Sequence, residues 1–303
     1  MHITPKNGAV GFSVLFSIED GRGGMQMITA SILIENSLVG HRALKAEHGL
    51  SVLIEDEDSS ILFDTGSSPK FLHNATKLKK DLSKVSSVVL SHPHYDHTGG
   101  FPAFVDQWIA SEKRLYTGND FFSDRFEEDS FSFTYLGNSF SKDYVEEHSI
   151  VWQGVDSLIK ISPHCSIVSG FQQLNTMERV SPEFKKYHEN RFVPDIFSDE
   201  CSIVLEAKDG LHLIVGCAHI GILNIVEHVS VLFSKPVRGV YGGIHLMNST
   251  QDEIQSIIKG LASLGVKKYG LCHCSGALVS DCLNGCSQGI EVATLGSGSM
   301  LFW

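Results

Sequence analysis

Short apolar runs closed by turn residues recur along this chain, with the spacing expected of half-buried strands. ASILIEN, GLSVLIED and SSILFDTG predict three strands, the second and third joined by the polar turn EDEDSS. KVSSVVLSH is a β-branched run that leads directly into HPHYDH. Further strands are expected in HCSIVSG, in CSIVLEAKDG and LHLIVGCAH around the hairpin-like KDG, and in KPVRGVYGGIH, VKKYGLCHC and GIEVATLGSGSMLFW. TQDEIQSIIKGLASLG has a Thr cap, early acids and apolar residues at helical spacing. GILNIVEHVSVLF and SPKFLHNATKLKKDL read as helices too. Hairpins early and strand–helix alternation late place the chain in the mixed α/β class.

Residues 101–195 break this rhythm. Eight of the eighteen phenylalanines lie between Phe101 and Phe140, amid acids and serines and with little periodicity. They predict either connecting helices whose aromatics complete the core, or a lid-like insertion at about 101–195 that roofs a pocket. Near the start, AVGFSVLFSI is followed by EDGRGG instead of a small-residue cleavage site. Residues 1–26 are therefore expected to be an extension in front of a domain spanning 27–303.

Composition narrows the function classes. With 303 residues, 42% hydrophobic and 19% charged, the chain can bury a large core. Its net charge of −11 argues against tracking nucleic-acid phosphates, so the expected partner is a small molecule. No run reaches the length of a membrane span. Seven scattered cysteines fit a reducing, cytoplasmic setting better than a disulfide framework. Four of them, Cys272, Cys274, Cys282 and Cys286, match no common zinc-ribbon spacing and read as buried thiols.

The histidines carry the chemistry. HPHYDH places His92 and His94 two apart, so in extended backbone both face one side and can share one ion. Asp96 and His97 follow as the chain turns, and diverge towards a second ion. Each pair needs at least one further protein ligand. Five predicted strands deliver a polar residue just past their last apolar position: Asp64, the 92–97 cluster, His219, His245 and His273. In layered α/β folds such strand ends gather along one rim. A histidine-rich surface loop is the bland alternative, and the repeated strand-end context argues against it. His48 can approach from the side. SGALVSDCL reads as a helix capped by Ser275, whose free N–H groups suit a phosphate or carboxylate.

HPHYDH followed by TGG resembles the metal-binding signature of the metallo-β-lactamase superfamily, and LFDTG its preceding strand with a structural aspartate, here Asp64. Within it, EHGLSVLIE, LFDTG, LSHPHYDHTGG, GCAHIGILNI, YGGIHL and HCSG in this order resemble the dihydropterin ribofuranosylaminobenzene-phosphate synthase branch, tied to archaeal methanopterin synthesis. The resemblance covers about residues 27–303. It implies a four-layer αββα sandwich with mixed sheets and two divalent ions, zinc with iron or manganese as alternatives, at one edge. The family usually places a histidine before the strand matching CSIVLEAKD and a bridging aspartate at the next strand's end. Here those positions hold Asp199 with Glu200, and Cys217; His219 takes the missing histidine's role.

These residues lead to an expected ligand set of His92, His94, Asp96, His97, His219 and His245. Asp96 holds the nucleophile's proton, His273 is a non-ligand donor to substrate, and Ser275 helps bind a phosphorylated one. The expected activity is hydrolysis of a small ester or phosphoester by a metal-bound hydroxide. A methanopterin-type synthase is the alternative, and a di-iron redox or non-catalytic ligand-binding relative a third.

Overall fold

The computed structural model describes residues 27–40, 43–285 and 289–303. The proposed extension 1–26 and Cys286 lie outside them. Two seven-stranded sheets face each other. From edge to edge the first runs Met300–Phe302, Thr29–Ile34, Ser51–Asp56, Ser59–Phe63, Val85–Val89, Lys113–Gly118 and Ile150–Val155. The second runs Glu291–Thr294, Lys268–Leu271, Val237–Gly242, Gly210–Val215, Ser202–Ala207, Cys165–Val168 and Leu158–Lys160. Both are mixed, antiparallel at one end and parallel at the other.

The period-2 alternation of the strands builds the layers. Ile61 and Phe63 point between the sheets, with Val52, Ile54, Ile203, Leu205 and Ile214. Leu62 and Leu53 point outward, under the helices Lys70–Lys77 and Phe101–Val105. Val204, Leu213 and Val240 face outward from the second sheet, under Ile222–Phe233, Gln251–Ser263 and Ala277–Asn284. This is the expected αββα sandwich. The helix Gln251–Ser263 opens with the Thr250 cap read from sequence, completed by Glu253 into a capping box. Cys272 packs between the sheets and Cys282 under the outer helices, so these two thiols do not gather.

Residues 101–195 divide among several layers. Lys113–Gly118 and Ile150–Val155 extend the first sheet, and Leu158–Lys160 with Cys165–Val168 extend the second. Phe101, Phe104, Phe121 and Phe140 are core residues. A separate four-stranded sheet, ordered Arg191–Pro194, Phe184–His188, Arg125–Glu128 and Phe133–Tyr135, stands apart from both large sheets.

Candidate metal centre

The parallel strands end on one rim, and their terminal loops bring the predicted residues together. Asp64 follows Ser59–Phe63, and the HPHYDH segment follows Val85–Val89. Cys217 and His219 follow Gly210–Val215, His245 follows Val237–Gly242, and His273 follows Lys268–Leu271. Asp64, Ala218, His245 and His273 have φ of 57°, 53°, 48° and 53°. Left-handed backbone at four non-glycine loop positions is a cost that the surrounding contacts must hold in place. Gly216 lets the two halves close: a Cβ there would collide with Ser91 Oγ.

The donors fall into two adjoining groups. In the first, one ligand atom each from His92, Cys217 and His219 lie within 4.8 Å of one another. The His94 ring stands beside them, its centroid 4.6 Å from that of His92 and 4.9 Å from that of His219. In the second, His273 Nε2 is 3.2 Å from His97 Nε2 and 3.2 Å from Asp96 Oδ2. His97 Nε2 is also 3.6 Å from Asp96 Oδ2 and 3.2 Å from Cys217 Sγ. His48 Nε2 reaches the same carboxylate oxygen at 3.1 Å.

Outer partners aim the rings. His97 Nδ1 meets Asp64 Oδ2 at 2.7 Å, His273 Nδ1 meets Asn36 Oδ1 at 3.0 Å, and His92 Nδ1 meets Ser91 Oγ at 2.9 Å. In each case Nδ1 is engaged and Nε2 turns inward, the arrangement seen in metal-ligating histidines. Glu200 accepts the backbone N–H groups of His219 and Ile220 at 2.9 and 3.0 Å, which fixes that loop. Asp199 is instead paired with the buried Arg125 at 2.9 Å, away from the donors.

These donors fit divalent cations. Ligands about 2.0–2.1 Å from a tetrahedral ion stand roughly 3.3 Å apart, close to the 3.2 Å separations of the second group. His92 Nε2 and both ring nitrogens of His219 are buried and have no hydrogen-bond partner. Such orphans are costly unless something else satisfies them. Burial, reinforced by neighbouring imidazoles, holds His92 and His219 well below the usual histidine range. Burial also pushes His94 down to about 3, so these rings are neutral and free to ligate. His97 goes the other way: burial opposes its charge, but the Asp96 and Asp64 carboxylates hold it up at about 9. A proton on His97 supplies positive charge that a cation would otherwise provide.

The structure thus brings His92, His94, Asp96, His97, His219 and His273 together over Asp64. His245 forms a further group with Cys217 and Cys274, one ligand atom each within 4.8 Å of one another; its ring centroid is 4.3 Å from that of His219, its backbone N–H donates to Cys274 Sγ at 3.3 Å, and its Nδ1 has no partner. Ser275 does not cap the following helix. Its buried hydroxyl accepts from Ile244 N–H and donates to Gly242 O, while Gly276 occupies the cap position without a side-chain bond. The turn after Gly242 claims the hydroxyl first.

His219 and His245 line a cleft of about 800 Å³, walled by Thr176–Arg179, Ser181, Phe184, Ile244–Ser249 and Glu127. The Phe184 ring lies 5.0 Å from His219, 5.5 Å from His94 and 5.6 Å from His245 between centroids. Sequence reasoning missed Phe184, which sits where periodicity is weak. It also missed Glu35 and Asn36, although they end the strand ASILIEN in the same polar context as the other site residues. Glu35 accepts the backbone N–H of His273 at 2.7 Å.

Comparison with known proteins agrees with this architecture. The profile of the metallo-beta-lactamase superfamily matches residues 44–220. A 7,8-dihydropterin-6-methyl-4-(beta-D-ribofuranosyl)-aminobenzene-5'-phosphate synthase of Methanocaldococcus jannaschii is 30% identical over 241 residues, covering 76% of this chain and 82% of that one. The crystal structure of Tm1679, a metal-dependent hydrolase of the beta-lactamase superfamily, superposes with a TM-score of 0.76 at 28% identity, over 90% of this chain and 98% of that one. A diphosphatase from the PhnP family shares the fold alone, at a TM-score of 0.51 and 12% identity, over 90% of this chain and 97% of that one. By its profile match, its relative of known name and the layout of its strand-end donors, this chain belongs to the metallo-beta-lactamase superfamily.

Proposed function

We propose that the chain is a dinuclear metal-dependent hydrolase of a small ester or phosphoester. The observation that carries this reading is the pair of adjoining donor groups beside an open cleft of about 800 Å³. His92, His94 and His219 would hold one ion, and Asp96, His97 and His273 the other. Two such ions lower the pKa of water towards neutrality and take up negative charge that develops on a reacting oxygen. The His48, His97 and His273 contacts of Asp96 all fall on Oδ2, which leaves Oδ1 to accept the attacking water's proton. His245 faces the cleft and is placed to protonate the leaving group. This exchanges the roles first expected of His245 and His273. The reason is geometric, because the His273 imidazole points at Asp96 and His97 while His245 opens on the cleft.

The synthase reading is favoured by one observation, the similarity to the Methanocaldococcus jannaschii enzyme. Both are tested together, by elemental analysis of freshly purified protein and by turnover of phosphoesters, carboxyl esters and a pterin with a phosphorylated aminobenzene. About two equivalents of zinc, iron or manganese and ester cleavage are expected. Joining of the pterin to the aminobenzene, without ester cleavage, would favour the synthase. His94→Ala should lose metal and turnover together, and full metal content in that variant would remove it from the ligand set.

Within residues 101–195, the four-stranded sheet and the strap 171–183 act as the lid over the cleft. Phe184 comes from this sheet, and Thr176–Arg179 with Ser181 come from the strap. Phe184→Ala should change relative rates across substrates. Phe121→Ala, in the core, should cost about 3–5 kcal/mol and leave relative rates alone. Phe131, 97% exposed, should tolerate replacement on both counts. Unchanged substrate preference in the Phe184 variant would remove the lid role.

A further inference from the structure

We propose that Phe197 is a positioning residue for the His219 imidazole, which it orients by ring stacking where neighbouring site histidines are oriented by hydrogen bonds. The inference rests on the ligand role given to His219 above and concerns what aims its ring. His97, His273 and His92 are each held at Nδ1, by Asp64, Asn36 and Ser91. His219 differs: both of its ring nitrogens lack a hydrogen-bond partner among the described residues. A metal-ligating histidine usually donates its other N–H to an oxygen, which sets tautomer and ring direction. Something else has to hold this ring.

Phe197 lies flat against it, with the centroids 4.2 Å apart and the planes 15° from parallel. The other neighbouring rings meet His219 steeply: Phe184 at 77°, His92 at 73°, His94 at 75° and His245 at 50°. Phe197 therefore sets the plane of the imidazole, and the steep neighbours limit its rotation within that plane. A phenyl face packs well on a neutral imidazole, and its negative quadrupole also suits one that has bound a cation.

The backbone around Phe197 keeps the ring in place. Phe197 is fully buried and has a φ of 49°, a left-handed conformation that a bulky residue retains only when its surroundings over-determine it. Its N–H donates to Asp195 Oδ1 at 2.9 Å, and its carbonyl accepts from Glu200 N–H at 3.1 Å. The buried Arg125, from the accessory sheet, pairs with Asp195 at 2.7 Å and with Asp199 at 2.9 Å, one on each side of Phe197 in sequence. Glu200 in turn accepts the backbone N–H of His219. The loop 195–200 thus holds His219 twice, its backbone through Glu200 and its ring through Phe197.

Proton NMR of the metal-free full chain tests the stack, with the His219 ring resonances identified by their loss in His219→Gln. In the wild type these protons should lie upfield, displaced by the Phe197 ring current. Phe197→Leu should move them downfield, and Phe197→Tyr, which keeps the aromatic face, should restore them. Zinc competition with a chromogenic chelator tests the consequence. In Phe197→Leu one of the two equivalents should bind about 10–100-fold more weakly, the usual effect of losing a partner that orients a ligand, and Phe197→Tyr should recover it. A leucine variant that unfolds at lower denaturant but keeps the wild-type shift and zinc affinity overturns the role and makes Phe197 core packing alone. If neither variant folds, the wild-type spectrum decides, and His219 protons without the upfield displacement overturn the stack. Two equivalents bound with an affinity indifferent to Phe197 overturn this role alone, whereas a chain that binds no zinc overturns the dinuclear reading and this role with it.

Discussion

Replacing His273 by alanine is expected to release one of two bound ions and abolish turnover, whereas His245→Ala should keep both ions. The His245 variant should slow by about 10²–10⁴-fold, the usual scale of a lost general acid. The contrast follows from where the two rings point. His273 Nε2 is 3.2 Å from both Asp96 Oδ2 and His97 Nε2, while its Nδ1 is held by Asn36 and its backbone N–H by Glu35. An imidazole fixed on its outer nitrogen and its backbone has one direction left for its remaining lone pair. His245 is held at its backbone N–H by Cys274 Sγ, but its Nδ1 is without a hydrogen-bond partner beside the cleft. Metal analysis of both variants, with their rates on the best ester substrate, separates the roles. If His273→Ala retained two ions and His245→Ala lost one, the original division of labour between these residues would stand.

Much of this was legible in the sequence because strand ends are chemically conspicuous. An apolar run that stops at Gly-Cys-Ala-His or Gly-Gly-Ile-His announces a histidine on the rim of a sheet, and the two-residue spacing of His92 and His94 announces a shared face. The four layers were legible through the family resemblance, and within them Leu62 and Phe63, both fully buried, face opposite sides of one strand. The exchange of roles proposed for His245 and His273 was not readable. Both follow parallel strands of one sheet, and both have left-handed φ. What separates them is contact with Asn36 and Glu35, more than two hundred positions away. Ser275 misled for a related reason. A serine before a helical run is a good cap, but tertiary contact with the Gly242 turn took its hydroxyl. The segment from Phe101 to Phe140 mixed core and accessory-sheet aromatics in one stretch, so no single period could describe it.

Asp64→Ala is expected to be the most destabilising change at the centre. The carboxylate is fully buried and accepts three hydrogen bonds: from Ser91 N–H at 2.7 Å, Ser91 Oγ at 2.8 Å and His97 Nδ1 at 2.7 Å. Each donor left unsatisfied in a buried site costs about 1–3 kcal/mol, so a loss of roughly 3–5 kcal/mol remains after local relaxation. Alanine would also have to hold a φ of 57°, which it tolerates less well than aspartate or asparagine does. Asparagine separates folding from function. It accepts the left-handed backbone and keeps one oxygen, so Asp64→Asn should stay folded. Its amide nitrogen, however, cannot accept both from Ser91 and from His97, and the His97 ring loses the partner that turns Nε2 inward. Metal affinity should then fall about 10–100-fold, the usual consequence of removing a partner that orients a ligand. Denaturant unfolding of the metal-free variants measures the first effect, and competition with a chromogenic chelator measures the second. Wild-type affinity in Asp64→Asn would show that the surrounding packing, and not the carboxylate, sets the direction of His97.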